Sequence, residues 1–172
     1  MKNLSRIQLV ELFESEQKCF LDLKNIKNKF GISYRLPNIS EVVSENTIKF
    51  LLQDMGIDCH NAKVGDLIVD GVHRYECKSF SSNAPISFGP KESWKKLIVM
   101  DSINLDKIKV YQVNLRNVDN EWLNIKINKT DTFKHKIEEK KRPRIKWKKL
   151  YPQIKRYTDV LYSGNIKSII YT

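Results

Sequence analysis

The chain has 172 residues, with 31 lysines and arginines against 20 aspartates and glutamates, and a formal net charge of +11. That length fits one domain, residues 1–172, with a core of its own, and the charge predicts a polyanionic partner such as nucleic acid. No stretch approaches the roughly eighteen uncharged apolar residues of a membrane-spanning helix, which argues against such a role.

The first residues are charged and amphipathic instead of forming an apolar signal core, so we expect the protein to stay in the cytoplasm. The cysteines, Cys19, Cys59 and Cys77, are odd in number and predict reduced thiols. A zinc site built from Cys59, Cys77 and the neighbouring histidines would lack the paired spacing of zinc sites, so we disfavour it.

Two helices are expected in the first third of the chain. Apolar residues recur at helical spacing over residues 5–30, as one long helix or two short ones, and Gly31 is a plausible stop. A second helix follows over residues 40–56, with Ser40 or Ser44 as its cap and Gly56 at its end.

A hairpin is the clearest feature of the sequence. Residues 65–78 read GDLIVDGVHRYECK, and Asp-Gly between two β-rich runs is the strongest short-range hairpin signal. Asp66 then opens one strand, while Glu76 and Lys78 close the next on a shared face with Cys77 pointing opposite, into the core.

The register of this hairpin decides whether its two carboxylates can meet. A plain two-residue turn would leave Asp66 and Glu76 on opposite faces of the sheet. We therefore predict a three-residue or bulged turn, with Gly71 in a left-handed conformation.

The hairpin would offer two carboxylates and an amine on one face. Two such carboxylates repel each other unless a cation lies between them, and hard oxygen ligands suit Mg²⁺, which keeps waters and phosphate oxygens as its other ligands. Lys78 could orient or deprotonate an attacking water, or stabilise charge on a phosphate.

The segment after the hairpin is a candidate for reading bases. A polar loop contains Ser81, Ser82 and Asn83, and a basic helix is expected from Pro90 onward, with Lys91 on its outside. Serine and asparagine donate and accept hydrogen bonds and lysine reaches guanine O6 and N7, so these residues suit the major groove. An ordinary connection in a basic protein would look similar.

The last third combines strands with a basic run. Residues 107–115 and 122–127 alternate as two strands that could pair, and the turn between them spans residues 117–120. In the run over residues 134–149, Arg142 and Arg144 are expected to neutralise phosphates and Trp147 to pack on sugars, although solvated lysines would look the same. The apolar segment 150–172 either folds back or joins a partner subunit.

The Asp-x9-Glu-x-Lys spacing of Asp66, Glu76 and Lys78 is similar to the catalytic signature of the PD-(D/E)XK nuclease superfamily, which includes many type II restriction endonucleases. The order of helix, hairpin, loop, helix and strand resembles the core of that superfamily as well. The resemblance implies an α/β nuclease domain with a central mixed sheet, of about five strands, flanked by helices.

The resemblance also implies roles for individual residues. Asp66, Glu76 and the carbonyl of Cys77 would bind Mg²⁺, and Lys78 would activate or position the nucleophilic water. In such enzymes a Glu from this helix often supports the metal site, and we choose Glu45 over Glu41. The alternative stays open that both are solvated acids in the first turn, favoured there by the helix dipole.

The implied function is hydrolysis of double-stranded DNA at a specific sequence. Two alternatives stay open: a structure-specific nuclease with the same core, such as a resolvase or repair enzyme, and a non-catalytic basic protein that binds nucleic acid. One chain carries one site, and cutting both strands of a palindrome needs two, so we expect a symmetric homodimer. Either the C-terminal segment or the N-terminal helix could supply its interface.

Overall fold

The computed structural model of the protein describes residues 3–33, 39–62, 67–90 and 93–172. Eight strands lie in these ranges: β1 (Cys59–Asn61), β2 (Leu67–Val69), β3 (His73–Phe80), β4 (Ile86–Ser87), β5 (Lys96–Asp101), β6 (Ile108–Val113), β7 (Arg144–Ile145) and β8 (Thr158–Gly164). Six of them form one sheet in the order β1-β2-β3-β5-β6-β8, and β4 pairs with β7 in a separate two-stranded ribbon.

The large sheet is mixed. β3 runs parallel to β5, whereas the other neighbouring strands of the sheet are antiparallel. β3 therefore lies inside the sheet, with strands on both sides. The predicted α/β fold with a central mixed sheet flanked by helices is confirmed, with six strands where about five were expected.

Each face of the sheet is covered by a different set of elements. On one side, which we call the α2 face, the core includes residues of α1 (Arg6–Phe30), α2 (Glu41–Asp54) and α6 (Lys167–Ile170). On the other side, the ribbon face, it includes residues of α3 (Asn120–Leu123), α4 (Phe133–Glu138), α5 (Trp147–Ile154) and the ribbon. No helix in the described ranges is both long and apolar enough to cross a membrane.

The two N-terminal helices begin and end as the sequence predicts. α1 is a single helix, with a capping box between Ser5 and Gln8 and a left-handed Gly31 at its end. α2 is capped by Ser40, whose side chain accepts a hydrogen bond from the backbone N–H of Val43.

The predicted helix after Pro90 is wrong, because residues 96–101 form β5. All four residues from Leu97 to Met100 are fully buried. An interior strand is covered on both faces, so it reads as a continuous apolar run without alternation. Trp94, Leu97 and Ile98 also fit helical spacing, but in a strand buried on both faces such spacing does not indicate a helix.

The predicted second strand over residues 122–127 is also wrong. Residues 120–123 form the short helix α3 instead. Trp122 is almost fully buried and packs edge-on against Phe88, Trp94 and Phe133. The ring of Trp122 is therefore buried by residues that are distant in the chain. A pattern of alternation over six residues cannot indicate such contacts.

The C-terminal segment folds back onto its own chain. β8 pairs with β6 along the end of the sheet. Ile166, Ile169 and Ile170 are buried in the core of the α2 face. Of the two expectations for this segment, folding back is the one observed.

The hairpin has the predicted three-residue turn. Val69 pairs with His73, so Asp70, Gly71 and Val72 form the loop. Asp70 and Gly71 both have positive φ, +50° and +71°. The left-handed conformation predicted for Gly71 is thus confirmed, and the turn sets the register of the whole β2–β3 pair.

Replacement of Gly71 should destabilise the protein through its backbone alone. No atom lies within 4 Å of a Cβ added at this position, so the cost of Gly71→Val is the left-handed strain of a β-branched residue, about 1–2 kcal/mol. Val72→Ala in the same exposed turn is the control and should change stability by less than ~0.5 kcal/mol. Urea unfolding measures both, and equal midpoints for the two variants would contradict this account.

Candidate active site

The interior strand β3 carries two of the predicted catalytic side chains. Tyr75 and Cys77 lie in the core of the α2 face, whereas Phe80 belongs to the core of the ribbon face. Because successive side chains of a strand alternate, Glu76 and Lys78 lie on the ribbon face with Phe80. The predicted orientations of Glu76, Cys77 and Lys78 are confirmed.

Glu76 and Lys78 form an ion pair. The Nζ of Lys78 contacts Oε1 of Glu76, and the two side chains are 25% and 5% exposed respectively. A carboxylate withdrawn from water to this extent needs a cationic or hydrogen-bonding partner. Lys78 supplies the cation, and its side chain is partly open to solvent.

Asp66 and Lys91 lie outside the described residues. The meeting of Asp66 with Glu76 therefore stays a prediction. The same holds for the contact of Lys91 with a base.

The carboxylate oxygens that β3 offers are ligands of the chemical type that Mg²⁺ prefers. Within the described residues, no three His, Cys, Asp or Glu side chains are grouped closely enough to hold a metal ion. Glu76 nevertheless offers a hard oxygen ligand, and protein sites for Mg²⁺ use one or two carboxylates together with waters and phosphate oxygens. Asp66 would be the second carboxylate.

The two glutamates at the start of α2 have different surroundings. Glu41 is exposed, whereas Glu45 is 5% exposed. The interpretation of both as solvated first-turn acids is therefore wrong for Glu45. α2 packs on the α2 face, so Glu45 belongs to the layer opposite the side chains of Glu76 and Lys78.

Sequence reasoning missed the buried polar side of α2. Lys49 is 2% exposed, and its Nζ donates hydrogen bonds to Asn3, Asn46 and the backbone carbonyl of Leu4. Burial lowers the pKa of Lys49. The signal in the sequence was the run SENTIK at residues 44–49. These residues lie in the middle of α2, where every residue from Val43 to Leu52 is buried.

The buried cysteines do not resemble metal ligands or nucleophiles. Cys59 and Cys77 are buried, Cys19 is exposed, and none of the three forms a disulfide bond. Burial, and next the negative charge of Asp58, raise the pKa of Cys59 to about 11. Because the thiolate is the form that binds metals and attacks substrates, a thiol that keeps its proton at neutral pH is poorly suited to either role.

The ribbon brings together the two segments that the sequence suggested for binding DNA. β4 comes from the polar loop after β3, and β7 comes from the basic run, with Ile86 opposite Ile145 and Ser87 opposite Arg144. Asn83, Arg142 and Arg144 are exposed, and Ser81 and Ser82 are half-buried. No pattern in the sequence indicates that these segments pair.

A cavity of about 300 Å³ lies between the end of β3 and the ribbon. It is lined by Ser79, Phe80, Ser82, Ala84, Pro85, Ile86, Ser87 and Arg144. The lining therefore combines serines and one arginine with apolar residues, and it begins directly after Lys78 in the chain.

Trp147 does not lie with the lysines around it, and the expectation that it packs on sugars is wrong. Its exposed fraction is 9%, and its ring contacts those of Phe80, Tyr111 and Tyr151. The basic run is itself divided among α4, β7 and α5. Its apolar residues Pro143, Ile145 and Trp147 are buried, and the charged residues that alternate with them are exposed.

These features define an α/β protein with a carboxylate–lysine pair on an interior strand and a basic ribbon beside it. Residues 10–153 match the model of the Bsp6I restriction endonuclease family, a stretch of more than four fifths of the chain that includes β3 and the whole ribbon. The chain belongs to this family, and membership implies a nuclease whose substrate is DNA. No curated protein and no solved structure gives a significant match.

Proposed function

We propose that the protein is a type II restriction endonuclease that hydrolyses double-stranded DNA at a specific sequence with Mg²⁺, using a PD-(D/E)XK site. The observation that carries the proposal is the Glu76–Lys78 pair on the ribbon face of β3. Three further features support it: the three-residue turn, the adjoining basic ribbon and the family of the chain.

Asp66 is proposed as the second carboxylate of the site. Leu67 is paired with Tyr75, and pairing continued by one residue would set Asp66 opposite Glu76 on the same face. With the carbonyl of Cys77, these two carboxylates would hold Mg²⁺. The bound metal would stabilise charge at the scissile phosphate and lower the pKa of a coordinated water.

Lys78 is proposed to act on the attacking water. Its side chain is the more exposed member of the ion pair with Glu76, and that contact holds the amino group in position. From there Lys78 can orient the water or take its proton, and it can balance charge on the phosphate. Glu45 lies across the sheet from Glu76 and Lys78, so any support it gives the site from α2 would be indirect, and its burial is a better basis for that role than the exposed position of Glu41.

The pattern of cleavage separates this proposal from a structure-specific nuclease. Digestion of a fully sequenced phage DNA with Mg²⁺, followed by mapping of the ends, should give discrete sites that share one sequence. Cuts confined to branched or damaged substrates would favour a resolvase or repair enzyme. Binding without cleavage on every substrate would favour a non-catalytic binding protein.

Replacement of Lys78 should separate chemistry from binding. Lys78→Ala should leave DNA affinity nearly unchanged while cleavage falls by at least ~100-fold, the usual effect of losing a positioned proton-transfer group or electrostatic stabiliser. Lys109→Ala, which removes an exposed lysine of β6, is the control and should cut normally. Single-turnover cleavage and gel-shift titration measure the two quantities, and a wild-type rate for Lys78→Ala would remove the assigned role.

The metal site makes a separate prediction for Asp66. Asp66→Ala should abolish Mg²⁺-dependent cleavage, because one carboxylate alone holds the ion weakly. Titration of Ca²⁺, which replaces Mg²⁺ to prevent cleavage, followed by calorimetry on the protein with bound DNA gives a readout that does not depend on turnover. Unchanged metal binding in Asp66→Ala would favour a structural role for the acidic residues.

The two α2 glutamates provide a matched pair of variants. Glu45→Gln keeps the size of the buried side chain and should reduce cleavage by ~10-fold or more if the charge supports the site. Glu41→Gln changes an exposed residue and should cut at the wild-type rate. Equal rates for both variants, at equal thermal stability, would show that Glu45 has no part in the reaction.

We also propose that the enzyme acts as a homodimer, because one chain offers one site for the two strands of a duplex. The C-terminal segment has lost support as the interface, since its isoleucines are used in the core of the same chain. α1 still presents exposed apolar side chains, among them Ile26 and Phe30.

Sedimentation on a cognate duplex should test the stoichiometry, with Ca²⁺ in place of Mg²⁺ to prevent cleavage. Two subunits per duplex are expected. A single subunit per duplex at saturating protein would contradict the dimer while leaving the site itself in place.

A further inference from the structure

The β4–β7 ribbon has one basic face and one buried face. Arg142, Arg144 and Lys146 are exposed, whereas the intervening Pro143 and Ile145 are buried. This alternation places the three cations on the solvent side. The major groove of B-DNA is wide enough to admit a two-stranded β-ribbon, so this side of the ribbon has the dimensions of an element that reads bases.

Arg144 differs from its two basic neighbours in its surroundings. It lines the cavity beside Ser79 and Ser82, and Ser87 is its partner across the ribbon. Its side chain makes no hydrogen bond or ion pair in the described part of the chain, but this holds for Arg142 and Lys146 as well, so the cavity is what sets Arg144 apart. The Oγ of Ser87 is buried at the same cavity and also has no hydrogen-bond partner among the described residues. The five guanidinium donors of Arg144 are thus available to a ligand at this cavity.

The cavity lies close to the residue proposed for chemistry. Its first lining residue, Ser79, follows Lys78 directly along β3. A strand advances about 3.3 Å per residue, and successive base pairs are separated by a similar distance. If a phosphate is held at Lys78, base pairs only a few steps along the duplex would therefore lie over Arg144.

We infer that Arg144 reads a guanine in the major groove, as part of the recognition sequence, and does not serve as a general phosphate contact. The inference rests on the proposed function. The planar fork of arginine matches O6 and N7 of guanine, and lysine cannot reproduce that bidentate geometry. Neutralising phosphates needs only positive charge, which exposed residues such as Arg142 and Lys146 supply on the same face.

Binding with Ca²⁺ tests this inference without any need for cleavage. The recognition sequence is selected from a pool of random duplexes bound by the wild-type protein. Arg144→Ala should then bind that sequence roughly 5- to 150-fold more weakly, the range for loss of one bidentate base contact. Its affinity for an unrelated duplex should hardly change, and its preference should be relaxed at one G·C pair only. Arg144→Lys should not restore the preference.

Arg142→Ala is the matched control, because it removes the same side chain two residues away on the same face. It should weaken binding to all duplexes alike and reduce the slope of log affinity against log salt by about one. If Arg144→Ala behaves in that way, the inference is overturned. A wild-type protein that selects one sequence but never cuts would defeat the proposed function and leave the reading by Arg144 intact.

Discussion

A charged carboxylate inside a sheet is the constraint on which the rest of this structure depends. Glu76 lies on an interior strand and is nearly removed from water, so its charge needs a partner close by. Lys78, two residues along the same strand, is that partner. The pair works only in one register, because a shift by one residue would move both side chains to the α2 face.

The turn before β3 enforces that register. Asp70 and Gly71 adopt left-handed conformations that give a loop of three residues, an odd number. On the opposite side, β5 is bonded to β3 over six residues in parallel. The register of β3, and with it the position of Glu76 and Lys78, is thus set by the short hairpin on one side and by the parallel pairing with β5 on the other.

Features encoded by neighbouring residues could be predicted from the sequence. The hairpin, its odd loop and the shared face of Glu76 and Lys78 follow from an Asp-Gly turn and the alternation of a strand. The extent of α1 follows from Ser5 and Gly31. The ribbon could not be found, because its two-residue strands pair positions as far apart as Ile86 and Ile145. β5 and Trp122 were misassigned for the same reason, since distant packing decides their state.

The connection between β3 and β4 limits how far the ribbon can lie from the strand proposed for chemistry. Only residues 81–85 separate Phe80, the last residue of β3, from Ile86, the first of β4. A chain of that length spans at most ~20 Å when fully extended. The ribbon therefore lies within a short length of chain from the strand that carries Glu76 and Lys78, and the base reading proposed for the ribbon and the chemistry proposed for β3 cannot move far apart.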